Sequence, residues 1–534
     1  MKNKIKIVLQ ASWLCLQLCF SVLGVEQDIP NPNGVAIGSR LQVAATADCT
    51  TVVWQEGDPR GQGRIMTSYK IDCSDNWSAP VTISEIGKDG SLPQIVEADN
   101  CITVVWQEGY AQDLGRIMAS FKLDCSDNWS TPVPISKAGE DGSRPQIAAT
   151  GDCITVVWQE GDAEDFGRIM ASFKIDCSDN WSTPVSISKA GEDGSRPQIA
   201  ATVDCITVVW QEGVAQGLGR IMVSSKIDCS NNWSTPVSLS EDSKDGSRPQ
   251  IAVTKDCVTV VWQEGDADFL GPIVSSFKID CSDNWSEPVR ISEENEDGSR
   301  PQIAATADCI TVVWREGDAG DAGRIMTSFK IDCSDNWSTP ATIPLTVARG
   351  SRVQVAATAD CITVVWQEGD VGGIGPIMAS YKTSCAGSWT TQEIAGAFGS
   401  RPQVLATDDC IMVVWQEEDA FGQGRIMASY KLDCSDTWST PVQISEDGKD
   451  GSRPQIIEAE HCIAVVWQEG EAQLGGQIMA SFKIDCSGDW SEPIPISAGN
   501  GMWPQIAANK DCITSVWQKS GSQGRIKTCS FDCS

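Results

Sequence analysis

Ten times, at intervals near fifty residues, the chain returns to one short stretch led by a cysteine. The sequence DCITVVWQEG stands unaltered at 152–161, 204–213 and 360–369, and the other copies are lightly edited. The leading cysteines are Cys49, Cys101, Cys153, Cys205, Cys257, Cys309, Cys361, Cys410, Cys462 and Cys512. They are spaced by 52 residues six times, then by 49, 52 and 50. A fixed period of this length confines the chain to a solenoid, a propeller or an array.

The repeat at 144–195 settles the element type. RPQIAAT, CITVVWQE, RIMASFKID and WSTPVSIS are short stretches rich in Ile, Val, Thr and aromatics, separated by Gly, Asp, Ser and Asn clusters. Each reads as a strand, and nothing in the unit carries a sustained helical period. Four strands per unit, repeated without linkers, predict an all-β propeller of ten four-stranded blades in one ring, with two five-bladed rings as the alternative. The tenth copy stops after its third strand, while IPNPNGVAI precedes the first copy. Residues 25–37 are therefore expected to pair with the strand at 525–533 and close the ring without open edges.

The N-terminus begins MKNKIK and continues IVLQASWLCLQLCFSVLG, a basic start and an apolar run ending on a small residue. This reads as a signal peptide over 1–24, leaving a propeller over 25–534. No other stretch is long and apolar enough to span a bilayer as a helix. The formal charge of the 534 residues is −32, and loss of Lys2, Lys4 and Lys6 takes it to −35. Such a surface repels nucleic acid and anionic lipid and suits solubility or a cationic partner.

In nine copies a second cysteine follows the first by 24 residues. If the second and third strands form a hairpin, the two cysteines face each other at its open end. The expected staples are Cys49–Cys73, Cys101–Cys125, Cys153–Cys177, Cys205–Cys229, Cys257–Cys281, Cys309–Cys333, Cys361–Cys385, Cys410–Cys434 and Cys462–Cys486, with Cys512–Cys533 in the shortened copy. Each would close a loop of about 25 residues and stabilise by roughly 3 kcal/mol in the chain-entropy model. Disulfides behind a leader indicate an oxidising compartment: secreted, periplasmic or cell-surface. Cys529 is left over and offers a link to a second chain. With a single histidine (His461) and no CxxC pair, no metal is expected. No glycine-rich phosphate cradle or calcium-loop spacing points to a cofactor. Asn-Trp-Ser occurs at Asn76, Asn128, Asn180, Asn232, Asn284 and Asn336, an acceptor sequon as well as a turn.

The stretch IDCSDNWSTPVSIS, with VVWQEGD upstream, resembles the repeat of sialidase-like Asp-box (BNR) propellers. Asp72 precedes Trp77 by five residues, as Asp176 does Trp181 and Asp485 does Trp490. Lys70 stands for the family's serine, and Cys73 and Ser74 for its glycines. The resemblance implies the propeller fold, with the boxes on the side of the ring away from the active site. An active member would need an arginine triad, a tyrosine–glutamate pair and an aspartate. Tyr69, Tyr381 and Tyr430 occupy a slot that holds Phe elsewhere and read as packing; only Tyr110 is unique, in a loop.

The copies are nearly uniform, so function is expected in what they present together. Arg40, Arg144, Arg196, Arg248, Arg300, Arg352, Arg401 and Arg453 open the innermost strands, each 16 residues before a glutamate such as Glu56 or Glu160. Folding the first two strands together makes each pair either a structural cross-strand ion pair or part of a ligand site. The expectation is a non-catalytic binding or adhesion propeller recognising a protein or an anionic glycan. A sialidase-like hydrolase and a disulfide-linked envelope protein are the alternatives.

Overall fold

The computed structural model describes residues 27–28 and 38–532, apart from short stretches, mostly hairpin tips and the turns after third strands. The expected leader at 1–24, Tyr110, His461 and the side chains of Arg40 and Cys529 lie outside the described residues.

Among the described residues the structure is all-β, a series of repeated four-stranded antiparallel units arranged in a propeller-like way. In the third repeat the strands are Gly142–Thr150, Cys153–Glu160, Ile169–Ile175 and Val185–Ser186, hydrogen-bonded in chain order. The seventh and eighth repeats, and the ninth and tenth, run together into seven-stranded sheets through the long strands Thr390–Ala406 and Ile494–Asn509.

The second strand explains why its sequence lacks polar alternation. Cys153 through Gln159 are all buried, because the sheet is covered on both faces. Val157, with Ile169, Ala171 and Ile187, packs on Val208, Trp210 and Met222 of the following repeat. Val156, Trp158 and Met170 point the other way, onto Val105, Ile117 and Ala119 of the preceding one. The period-2 alternation of a strand thus becomes previous-neighbour against next-neighbour, and each repeat completes its core only between two others.

Gly142 marks the seam. A Cβ there would lie 2.5 Å from Cδ1 of Trp158 and 3.1 Å from Cγ1 of Ile117. The bare backbone lets the Gly142 N–H donate to the Gly115 carbonyl of the preceding repeat at 2.7 Å. The repeated serines are clamps. Ser182, after the tryptophan, accepts from the Phe173 N–H through its hydroxyl at 3.1 Å, and its own N–H donates to the Phe173 carbonyl at 2.7 Å.

The first and last described strands pair. Gln27 pairs with Thr528 and Asp28 with Lys527, so the N-terminal segment lies beside the third strand of the tenth repeat. Val516 of that repeat packs against Val52, Trp54, Met66 and Trp77 of the first. These positions correspond to the ones that join the third repeat to the fourth.

The disulfides do not staple hairpins. The bonds are Cys101–Cys177, Cys153–Cys229, Cys257–Cys333, Cys309–Cys385, Cys361–Cys434 and Cys410–Cys486. Each joins the second strand of one repeat to the turn after the third strand of the next. These bonds displace the expected Cys101–Cys125, Cys153–Cys177, Cys205–Cys229, Cys257–Cys281, Cys309–Cys333, Cys361–Cys385, Cys410–Cys434 and Cys462–Cys486. Strand register is the reason. Cys153 stands opposite Ile175, so Cys177 lies two residues beyond the paired positions. There it has turned toward the preceding repeat, with its sulfur 3.2 Å from the Lys122 carbonyl oxygen. Cα separations of 5.3 to 6.0 Å suit the bond. Cys49 is also disulfide-bonded; Cys73, Cys533 and the side chain of Cys512 lie outside the described residues.

Candidate functional site

The first strand opens with Gly-Ser-Arg-Pro-Gln, and its pairing breaks there. Ser143 faces Gln159 and Gln146 faces Val157, so the first strand carries one residue more than its partner, a β-bulge. Proline, having no N–H to give the ladder, fits such a break. The arginine of the bulge takes a left-handed backbone. Arg144, Arg196, Arg248, Arg300, Arg352, Arg401 and Arg453 have φ between 51° and 56°. That conformation costs a non-glycine residue roughly 1–2 kcal/mol. Leu92 holds the same position and the same φ of 53° in the second repeat. The backbone shape therefore belongs to the repeat and does not call for arginine; the side chain does.

The strand register does not set the arginines opposite the glutamates 16 residues on. Glu160 stands opposite Gly142, two residues ahead of Arg144, and its ion-pair partner is Arg168, on the far side of its own hairpin. The same bond recurs as Glu56 with Arg64, Glu108 with Arg116 (2.8 Å), Glu212 with Arg220 (2.5 Å) and Glu417 with Arg425 (2.7 Å). The expectation of a cross-strand pair within the first hairpin is corrected, because the bulge carries the arginine past the paired positions.

The bulges of successive repeats come together. Arg196, Arg248 and Arg300, with Gln198, Gln250, Gln302, Pro249 and Pro301, line one cavity of ≈ 290 Å³. Among the described residues, no acidic one lines it. On another arc, burial lowers the pKa of the Arg352 guanidinium, and the charge of Arg401 lowers it further. Arg453 is lowered by burial, then by Arg401 and Arg352. These like charges sense one another, so the fold gathers cations rather than dispersing them. The Nε atoms of Arg196 and Arg453 are buried and have no hydrogen-bond partner among the described residues. Partly desolvated guanidiniums held close to one another suit an oxyanion such as carboxylate or sulfate.

A second set of cations escaped sequence reasoning. The lysine of each FKI-type segment is buried; Lys174 is 0% exposed. Its ammonium lies 3.7 Å from the Phe121 ring centroid of the preceding repeat and 5.5 Å from that of Trp181 in its own. Lys122 sits likewise over Tyr69 at 3.8 Å, Lys431 over Tyr381 at 3.3 Å and Lys483 over Tyr430 at 4.3 Å. The three tyrosines are thus seats for buried ammonium groups. In the fourth repeat Ser225 replaces the ring and accepts directly from Lys278. Burial lowers Lys431 to about 7, and Lys382 and Lys483 to about 8. These lysines join neighbouring repeats. Their signal was available: Lys follows the aromatic in the segment and so points to the opposite face of the strand.

The turn carrying the Asp–Trp spacing is ordered by its aspartate. Oδ1 of Asp485 accepts from the Ser487 N–H at 2.9 Å, the Gly488 N–H at 2.5 Å and the Ser487 hydroxyl at 3.0 Å. Burial acts to raise its pKa, but these hydrogen bonds prevail and lower it. The turn lies at the cysteine end of the blade, the opposite end from the arginines.

No protein-family model matches the chain, and no curated protein matches it in sequence. Solved structures similar to parts of it include the BP39L lectin from Burkholderia pseudomallei, at 16% identity and a TM-score of 0.39, covering 67% of this chain and 100% of the lectin. An ancestral GH74 enzyme is similar at 11% identity and a TM-score of 0.35 over 94% of this chain and 73% of that one. A PL25 ulvan lyase is similar at 12% identity and a TM-score of 0.38, with 70% and 95% covered.

Proposed function

We propose that the chain is a single ring of ten blades, closed between its first and tenth repeats, that binds an anionic ligand at the arginine-lined mouth without transforming it. Support for closure comes from the pairing of Gln27 with Thr528 and the packing of Val516 on Trp54. Two five-bladed rings would need a break between the fifth and sixth repeats. That boundary instead carries the Cys257–Cys333 bond and a shared core of Val261, Ile273, Val312 and Trp314. The disulfides suit an extracytoplasmic setting.

One observation carries the binding reading: arginines at left-handed φ, which the backbone does not require, gather around a cavity with no acid among the described residues of its lining. Left-handed backbone, desolvation and mutual repulsion all oppose folding, and an anion relieves the last two. Uniform copies suit many modest contacts that reinforce one another.

The test is titration calorimetry with a carboxylated oligosaccharide on the wild type and on Arg196→Ala, Arg248→Ala and Arg300→Ala, singly and together. Binding should weaken in graded steps and weaken further as salt rises. Equal affinity in the triple variant would refute the site. Release of product by the wild type, abolished by a single substitution, would refute the non-catalytic reading.

A further inference from the structure

Six bulges, those of Arg144, Arg196, Arg248, Arg300, Arg401 and Arg453, read Arg-Pro-Gln, and in five of them the glutamine amide is fixed. The Nε2 of Gln146 donates to the Pro145 carbonyl at 3.0 Å, Gln250 to Pro249 at 3.0 Å and Gln302 to Pro301 at 3.1 Å. Gln403 and Gln455 repeat the bond to Pro402 and Pro454. A carbonyl only accepts, so the end of the amide facing it must be the NH2 group. The carbonyl end, Oε1, is left to face away from the backbone. Gln198, Gln250 and Gln302 line the same cavity as Arg196, Arg248 and Arg300. Five blades therefore set a cationic donor beside an oriented neutral acceptor, flanked by the aliphatic ring of a proline.

We infer that the ligand is an acidic polysaccharide that lies across neighbouring blades, one acidic sugar group to each arginine, with ring hydroxyls donating to the glutamine oxygens. This rests on the mouth being an anion site. An anion alone needs only the guanidiniums. An acceptor beside each of them has a use only if the ligand also brings a donor beside each negative charge. Uronate and sulfated sugars do so, and their C–H faces suit proline rings. The recurrence of the Arg–Gln pair from blade to blade calls for a ligand that itself repeats.

The experiment is calorimetry on the full chain with galacturonate dimer, tetramer and octamer, neutral maltooctaose, and inorganic polyphosphate matched in charge to the octamer. The affinity should climb from dimer to octamer, and maltooctaose should not bind. In the variant Gln250→Leu/Gln302→Leu, octamer affinity should fall by about ten-fold, with polyphosphate binding unchanged. Those side chains are partly exposed, and an unchanged melting temperature would confirm that the variant folds. Polyphosphate binding as tightly as the octamer, with the glutamine variant indifferent to both, would overturn the polysaccharide inference and leave the anion site standing. Failure of every anion to bind would remove the anion site itself.

Discussion

The disulfide pattern allows a test in which two double substitutions exchange roles. Replacing Cys153 and Cys229 by alanine removes one bond between repeats, because these two sulfurs are partners. Replacing Cys153 and Cys177 removes two, because Cys177 is bonded to Cys101. A bond across a sequence separation of 76 restrains the unfolded chain by roughly 4.5 kcal/mol in the chain-entropy model. The Cys101–Cys177 bond offers no shorter path between 153 and 229, so the value is not reduced by it. The first variant should therefore lose about 4.5 kcal/mol and the second about twice as much. Thiol titration under denaturing, non-reducing conditions gives the sharper reading. Relative to wild type, the Cys153→Ala/Cys229→Ala chain should show no additional free thiol, and Cys153→Ala/Cys177→Ala should show two, on Cys101 and Cys229. The reverse count would refute the inter-repeat pairing and restore the hairpin staple.

Lys431→Met should flatten the dependence of stability on pH. Because burial lowers the folded-state pKa to about 7 against about 10.4 for a free lysine, the unfolded chain binds more protons in that window. Wild-type stability should rise between these two values, and a chemical-denaturation series at stepped pH would show whether the rise shrinks in the variant. Gly142→Ala should destabilise by about 1–3 kcal/mol, since its Cβ would meet Trp158 and Ile117; an unchanged denaturation midpoint would contradict the seam. Arg248→Gly should gain about 1 kcal/mol by relaxing the left-handed residue while weakening anion binding, and loss of stability instead would mean that the arginine supports the fold.

Much of the architecture was legible from periodicity. The four-strand unit follows from repeat length and hydrophobic pattern, and the expected pairing of the N-terminal segment with the last strand is seen at Gln27 and Asp28. Partner choice among the cysteines was not. A spacing of 24 satisfies a hairpin loosely, and only the register that sets Cys153 against Ile175 shows that the second cysteine overshoots. The arginine bulge was half visible: a proline inside an otherwise apolar strand marks a break in the ladder, but not the side toward which the preceding residue turns. Lys174 was missed because lysine reads as surface. Its burial depends on an aromatic ring 53 positions earlier, contributed by another repeat.

The two ends of each blade carry opposite kinds of work. At the cysteine end a covalent bond and a lysine seated on a ring hold one repeat to the next. At the other end the bulge accumulates what folding disfavours: left-handed arginines, desolvated Nε atoms and neighbouring like charges. Such features persist only where the surrounding structure over-determines them, and here the Gly142 seam and the shared cores on both faces do so. The separation also explains why the repeats can remain nearly identical. An active site would need one blade to differ in kind from the others. A surface that binds a repeating polyanion, as proposed, needs the Arg–Gln pair to recur, as it does in eight repeats, and its affinity should then fall step by step as arginines are removed.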